Sequence, residues 1–161
     1  FDLWPEFSRV ILVLLMLVGA CAGSTGGGLK VSRLVILVKA MGNEVRMLIR
    51  PHTVKVITID GKRVDANAMR AVSSYFLIYV LLTVASILLV SLDNFDASTT
   101  ITAVFATVNN IGPGLGMVGP VGNFAMFSPL SKIVLTLDML FGRLELYPML
   151  VLLYPGTWKR R

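Results

Sequence analysis

The stretch whose residue types could do chemistry is a turn rich in glycine and asparagine. It reads Asn109-Asn-Ile-Gly-Pro-Gly114 and directly follows a short apolar segment. Backbone carbonyls that point towards one axis can replace the hydration shell of a cation, and glycine permits the backbone angles that this arrangement demands. The turn therefore predicts a site where main-chain oxygens line an ion pathway.

A second glycine-rich stretch, Gly23-Ser-Thr-Gly-Gly-Gly28, interrupts a long apolar region. The apolar run before it, 10–22, would reach about 20 Å as a helix, which is short of a hydrocarbon core of about 30 Å. Loose backbone is tolerated at membrane depth only where it faces protein or a water-filled cavity. We therefore expect a transmembrane helix broken midway by a loop and resumed over 29–48. The alternative is a helix that ends near Lys30 at the cytoplasmic surface, because glycine is also a helix stop.

Arg143 is the most informative charge, because it lies deep within an apolar run. An arginine inside a membrane costs about 2.5–3.5 kcal/mol on insertion scales, so it needs a partner or water. Asp138 and Glu145 share one helix face, and Arg143 lies off that face. A partner on another segment is expected, with the glycine loop as the candidate; a local ion pair is the alternative. The two carboxylates do not predict hydrolysis, since no histidine, metal cluster or nucleophile accompanies them.

Two uncharged or nearly uncharged spans flank the turn. Residues 71–92 are long enough to cross a bilayer, and Tyr75 and Tyr79 are expected to be interfacial aromatics near one end. Residues 129–154 form the last span, which is followed by the aromatic and basic anchors Trp158-Lys-Arg-Arg161. The turn is therefore expected to lie between two membrane-spanning helices.

A half-length helix is predicted at 98–108, directly before the turn. It would be about 15 Å long, or half a bilayer. Asp96 and Ser98 offer N-cap side chains. The C-terminal end of this helix carries the negative end of the macrodipole, so a cation is favoured where the helix meets the turn.

Composition and charge exclude an ordinary soluble domain. Hydrophobic residues make up 55% of the 161 residues, against about 45–50% in soluble domains. Basic residues are concentrated between 30 and 70 and at the C-terminus, with none from 71 to 131, so the net charge of +6 indicates a positive-inside topology. A nucleic-acid surface would interleave basic, polar and aromatic residues. No nucleic-acid partner is expected.

The basic region contains a β-hairpin signal at 54–64, around the Asp60-Gly61 pair that type I′ turns favour. Its charge predicts a cytoplasmic location. His52, the single histidine, is expected to be a capping or surface residue and not a metal ligand or base. Cys21, the single cysteine, is expected to be a small packing residue.

Three motifs together resemble the Trk/Ktr/HKT superfamily of potassium transporters, and the TrkH type most of all. They are Cys21-Ala-Gly-Ser-Thr-Gly-Gly-Gly-Leu-Lys30, Asn109-Asn-Ile-Gly-Pro-Gly-Leu-Gly116 and Met139-Leu-Phe-Gly-Arg-Leu-Glu145. The resemblance covers essentially the whole chain. It implies an all-α integral membrane protein in which four helix–pore-loop–helix repeats form a pseudo-fourfold, potassium-channel-like pore, here with a small cytoplasmic β-hairpin.

The resemblance also assigns segments and residues. Residues 1–50 correspond to the second helix of the third repeat, 51–70 to a cytoplasmic linker, and 71–161 to the fourth repeat. Within this repeat the filter would be 109–114, and Gly112 would be the glycine associated with potassium preference. The implied filter residues are Asn110, Ile111, Gly112, Pro113 and Gly114, with the carbonyls of the first three binding K+. The implied gating loop comprises Gly19, Ala20, Cys21, Ala22, Gly23, Ser24, Thr25, Gly26, Gly27 and Gly28, held by Arg143 as a latch.

The expected function is potassium uptake as the C-terminal part of a Trk-type transporter, with K+ as the transported ion, no prosthetic group and no enzymatic activity. The resemblance implies a cytoplasmic nucleotide-binding regulatory subunit of the TrkA or RCK type, contact with membrane lipid and a homodimer of the full-length protein. It also implies a bacterial inner membrane location with a cytoplasmic C-terminus. Channel-like flux and proton- or sodium-coupled symport both stay open.

The chain begins at Phe1, inside an apolar region and without a methionine, so we expect a fragment of a longer protein. One quarter of a filter cannot dehydrate an ion, and the isolated chain is predicted not to conduct. The alternative is a truncated membrane scaffold or interaction module that transports nothing.

Overall fold

The computed structural model describes residues 1–19, 21, 27–50, 57–59, 62–144, 148–149 and 151. Over these ranges the chain is mostly helical, with short 3-10 turns and one pair of two-residue strands. The elements are α1 (Glu6–Leu17), α2 (Val31–Ile49), β1 (Thr58–Ile59), β2 (Lys62–Arg63), α3 (Ala66–Val90), α4 (Ala97–Val108) and α5 (Pro129–Leu144).

Helix α4 is the centre of the fold, and α1, α3 and α5 all pack against it. Most of its residues are buried, including Val104 and Val108. The helix begins one residue before the predicted start and ends at the predicted residue. Asp96 is its N-cap, as predicted, and its carboxylate accepts a hydrogen bond from the Thr99 backbone N–H at 3.0 Å. Hydrogen bonds from the hydroxyl and backbone N–H of Thr99 lower the pKa of Asp96.

Helix α3 has one buried and one exposed face. The buried face carries polar groups as well as apolar ones: Tyr75, Tyr79, Thr83, Ser86 and Val90. The exposed face is apolar and carries Leu77, Leu81, Val84 and Leu88. Within the described ranges, the segment Asn67–Asp93 is the one helix that is long and apolar enough to cross a membrane. The interpretation of the two tyrosines as interfacial aromatics is wrong, because both side chains are buried and both hydroxyls donate hydrogen bonds within the protein.

The break between α1 and α2 is closed at its base. Helix α1 ends at Leu17, a parallel bridge joins Val18 to Leu29, and the Gly19 N–H donates to the Leu29 carbonyl at 2.9 Å. A Cβ on Gly19 would lie 2.7 Å from the Gly27 carbonyl oxygen, so the two ends of the loop are in contact. The chain therefore forms two helices with a break between them. The alternative prediction, a single helix that ends near Lys30, does not describe this region.

The two short strands pair antiparallel, with Thr58 opposite Arg63. Lys39 of α2 donates to the Thr58 carbonyl at 2.8 Å, which attaches the strand pair to that helix. The predicted Asp60-Gly61 turn and His52 lie outside the described residues.

Cys21 is exposed, so its predicted packing role is wrong. It follows the end of α1 and lies in the loop, where no helix face directs its side chain into a core. Glu145 and the anchors Trp158-Lys-Arg-Arg161 lie outside the described residues.

A glycine junction beneath the candidate ion-binding turn

The turn leaves α4 through left-handed backbone. Asn110 has φ of 54° and Gly112 has φ of 112°. The N–H of Asn110 donates to the Thr107 carbonyl at 3.1 Å, and that of Ile111 donates to the Ala106 carbonyl at 2.9 Å. These bonds tie the start of the turn to the last turn of the helix. Residues 110–113 are exposed in this chain, whereas Gly114 is buried.

The buried side chain of Asn109 anchors the start of the turn. Its Oδ1 accepts from the Tyr79 hydroxyl at 3.1 Å, and its Nδ2 donates to the Phe105 carbonyl at 3.0 Å. Because both ends of the amide are satisfied by hydrogen bonds, the side chain is held in one orientation. The first residue of the turn, directly after α4, is thereby fixed to α3.

Gly28, at the end of the glycine loop, lies directly against the Asn109 side chain. Gly28 has φ of 76°, and a Cβ there would overlap Oδ1 of Asn109. The Gly28 carbonyl accepts from the Tyr75 hydroxyl at 3.2 Å. The guanidinium of Arg33 lies 3.9 Å from the centre of the Tyr75 ring, a cation–π contact. Tyr75 and Tyr79, one turn apart on α3, thus hold the loop and the turn respectively.

Three backbones meet where the loop, the turn and α5 come together; we call this the glycine junction and define it by Gly27, Asn110 and Gly142. A Cβ on Gly27 would lie 2.8 Å from Nδ2 of Asn110 and 3.0 Å from the Gly142 carbonyl oxygen. A Cβ on Gly142 would overlap the Val108 carbonyl oxygen and lie 2.6 Å from the same Nδ2. That Nδ2 donates to the Met139 carbonyl of α5 at 3.2 Å. The junction is packed too closely for side chains at either glycine.

An open cleft of about 350 Å³ lies beside the junction. The end of α1 and the two ends of the glycine loop form one wall, and Asn109, Asn110 and Ile111 form the other. The segments predicted as gating loop and filter therefore face each other across one space.

Asp138 is a second buried polar feature of α5. Its Oδ1 accepts from the Ser86 hydroxyl of α3 at 2.7 Å, and the residue is buried. Its predicted face-mate Glu145 lies outside the described residues. Among the residues that the structure describes, no three His, Cys, Asp or Glu side chains gather where they could hold a metal ion.

The structure brings together most of the predicted site residues that it describes. Gly19, Gly27 and Gly28 of the loop lie beside the turn, while Cys21 is exposed. Arg143 follows Gly142 directly, and its side chain is exposed at the surface of this chain. Ala20 and residues 22–26 lie outside the described ranges.

The contacts of Tyr75, Tyr79 and Gly142 were not predicted from the sequence. A signal existed for the tyrosines, because a spacing of four places them on one face of a helix. Gly142 stood inside a motif that carried the resemblance, but no residue pattern showed that α5 crosses α4 at this point. The contact depends on how two helices separated in sequence pack.

Comparison with known proteins identifies the family. Residues 1–156 match the TrkH family, described as a cation transport protein. The chain belongs to the TrkH family. The resemblance predicted from the sequence is confirmed, and the family is one of cation transport proteins and not of enzymes.

Individual relatives agree with this assignment. The Trk system potassium uptake protein TrkH of Salmonella typhimurium is 40% identical over 156 residues, which cover 97% of this chain and 32% of the relative. The Trk system potassium uptake protein TrkI of Halomonas elongata is 35% identical over 162 residues, covering 99% of this chain and 33% of the relative. The chain thus spans about one third of the length of the relatives it matches.

A solved structure supports the fold. The crystal structure of the potassium transporter TrkH from Vibrio parahaemolyticus matches with a TM-score of 0.85 at 38% identity, covering 97% of this chain and 33% of that one. The predicted mostly helical architecture is confirmed at this level.

Proposed function

We propose that this chain is the C-terminal part of a potassium uptake protein and that its turn supplies one quarter of a potassium filter. The observation that carries the proposal is the glycine junction, where loop, turn and last helix meet within a few ångströms. The relatives named above are potassium uptake proteins. The proposed K+ ligands are main-chain oxygens of Asn110, Ile111 and Gly112, with Pro113 and Gly114 completing the filter.

Helices α3, α4 and α5, with the turn, would form one helix–pore-loop–helix repeat. Helix α4 has 12 residues and is about 18 Å long, too short to cross a bilayer. Its C-terminus leads directly into the turn, so the negative end of its dipole favours a cation there. The positive φ values at Asn110 and Gly112 give the turn the irregular backbone that a carbonyl-lined site requires.

The loop 19–28 is proposed as a gate beneath this filter. Its two ends are fixed by the Val18–Leu29 bridge and by the Tyr75 bond to Gly28, while the cleft beside it borders the turn. In the proposed closed state Arg143 holds this loop.

The charge distribution supports the proposed topology and partners. Lys39 and Arg46 lie on α2, and Arg50 directly follows this helix. The basic region continues to Arg63 and Arg70 and would lie on the cytoplasmic side of a bacterial inner membrane. The C-terminus would lie on the same side. This surface is proposed to contact a nucleotide-binding regulatory subunit of the TrkA or RCK type, and the full-length protein is proposed to form a homodimer.

The proposal is tested by flux. The full-length protein that contains this chain, reconstituted in liposomes, is expected to take up rubidium as a tracer for potassium, with potassium and not sodium competing. The isolated chain, reconstituted at the same density, is expected to show the background flux of empty liposomes, because one quarter of a filter cannot replace an ion's hydration shell. Absence of uptake by the full-length protein would favour a scaffold without transport. Selective flux through the isolated chain would contradict the four-repeat arrangement.

Replacing Arg143 with alanine in the full-length protein is expected to raise the rate of rubidium uptake, because the gating loop loses its proposed latch. The increase should be about threefold to tenfold, the factor that corresponds to loss of one hydrogen bond of ordinary net strength. Lys132→Ala is the matched control, since it removes a positive charge from the other end of α5 and should leave the rate unchanged. A lower rate for Arg143→Ala than for the control would contradict the latch.

A further inference from the structure

The chain that returns from the turn, residues 114–119, is held along its backbone; we call it the return segment. Two threonine hydroxyls of α4 accept from its N–H groups: Thr102 Oγ1 from Leu115 at 2.9 Å, and Thr99 Oγ1 from Met117 at 3.2 Å. Buried N–H groups need such acceptors, since an unpaired one costs about 1–3 kcal/mol. The helix that precedes the turn thus also positions the chain that follows it.

The N–H between these two positions has an acceptor from a distant part of the sequence. Gly116 donates to Oδ1 of Asp2 at 3.1 Å, across a separation of 114 residues. The second oxygen of this carboxylate also lies against the return segment, because a Cβ on Gly119 would be 3.1 Å from it. Asp2 precedes α1, so this contact joins the start of the described chain to the segment that follows the turn.

The surroundings of Gly116 explain why its N–H donates to Asp2. Gly116 has φ of 65°, and a Cβ there would lie 2.6 Å from the Thr99 hydroxyl, so the backbone packs directly on α4. Oδ2 of Asp96 would lie 3.9 Å from the same Cβ, but this oxygen already accepts from the Thr99 N–H as the N-cap of α4. A carboxylate that accepts from backbone N–H forms a stronger hydrogen bond than a neutral acceptor does.

We propose that Asp2 is a positioning residue that sets the outer end of the cation site by holding Gly116. This inference rests on the proposed function, because the return segment begins at Gly114, the last proposed filter residue. Asp2 does not touch the ion. It fixes the backbone two residues beyond the filter. Thr99 and Thr102 hold the return segment from α4, whereas Asp2 holds it from outside that helix.

The test uses the full-length protein with Asp2→Ala and Asp2→Asn. The asparagine retains an oxygen that can accept from the Gly116 N–H but removes the charge. Glu44→Ala, which removes an exposed carboxylate from α2, is the matched control. Two quantities are measured: the ratio of potassium to sodium uptake in liposomes, and the hydrogen-exchange rate of the amides in the return segment.

Asp2→Ala should lower the potassium-to-sodium ratio by about threefold to tenfold and raise the exchange rate of the return segment by a similar factor, as expected for loss of one hydrogen bond. Asp2→Asn should show a smaller loss than Asp2→Ala in both measurements, because its neutral oxygen still accepts from the Gly116 N–H but more weakly than a carboxylate does. Glu44→Ala should resemble the wild type. Wild-type behaviour of Asp2→Ala, or equal losses in the alanine and asparagine variants, would overturn the proposal. A wild-type protein without potassium uptake would refute the proposed function, and the exchange rates would still decide whether Asp2 holds Gly116.

Discussion

Alanine at position 142 is expected to reduce potassium uptake by the full-length protein to background. The added Cβ would overlap the Val108 carbonyl oxygen and would lie 2.6 Å from Nδ2 of Asn110. The Val108 oxygen belongs to helix backbone and cannot rotate away, so α5 must shift from α4. Overpacking of this kind costs about 1–3 kcal/mol, and the shift would displace Asn110 from its bond to Met139.

The matched control for Gly142→Ala is Gly42→Ala. Both glycines lie within helices, and alanine is favoured over glycine in a helix by about 1 kcal/mol. A Cβ at position 42 meets nothing within 4 Å, so this variant gains helix propensity without overlap. Rubidium uptake and the amount of protein in the membrane are measured for both. Normal uptake by Gly142→Ala, at a membrane amount equal to that of the control, would contradict the role of the junction.

Serine at position 112 is expected to lower the ratio of potassium to sodium uptake by about tenfold while protein still reaches the membrane. Gly112 has φ of 112°, a region that L side chains rarely adopt. Holding a residue other than glycine at this φ costs about 1–3 kcal/mol, so the turn would relax to another backbone conformation. A Cβ at this position meets nothing within 4 Å. The effect should therefore come from the backbone, which carries the proposed ion ligands.

The ratio is measured by competition between potassium and sodium for rubidium uptake in liposomes. Gly112→Ala should behave like Gly112→Ser, because the strain comes from any Cβ and not from the hydroxyl. Gly42→Ser, on an open helix surface, should leave the ratio unchanged. If both position-112 variants distinguished potassium from sodium as well as the wild type does, the assignment of this turn as a filter would be wrong.

The two glycine-rich stretches illustrate how much local pattern can predict. Glycine at these positions indicated irregular backbone, and the structure has positive φ at Gly28 and Gly112. Helix α4 was predicted within one residue at its start, because its apolar run and the Asp96 cap are local features. The family resemblance was likewise carried by short motifs, and the comparisons confirm it.

Contacts between distant segments could not be read from such patterns. Tyr75 and Tyr79 suit a membrane interface as well as a core, and only the packing of α3 against the glycine loop and the turn distinguishes the two. Cys21 was expected to pack in the interior, yet it is exposed, because it lies beyond the end of α1 and not on the buried face of a helix. Periodicity shows which face of a helix is apolar, but it does not show which element covers that face.

Three short motifs were sufficient for the family resemblance, and residue types and spacing were sufficient for the helices around the turn and the positions where glycine is needed. They were not sufficient for the partners of those glycines. Gly142 meets Asn110, and Asp2 meets Gly116, through the packing of segments far apart in the chain. A contact between remote segments depends on the relative placement of whole helices, which is set by many side chains together and has no signature in the local sequence.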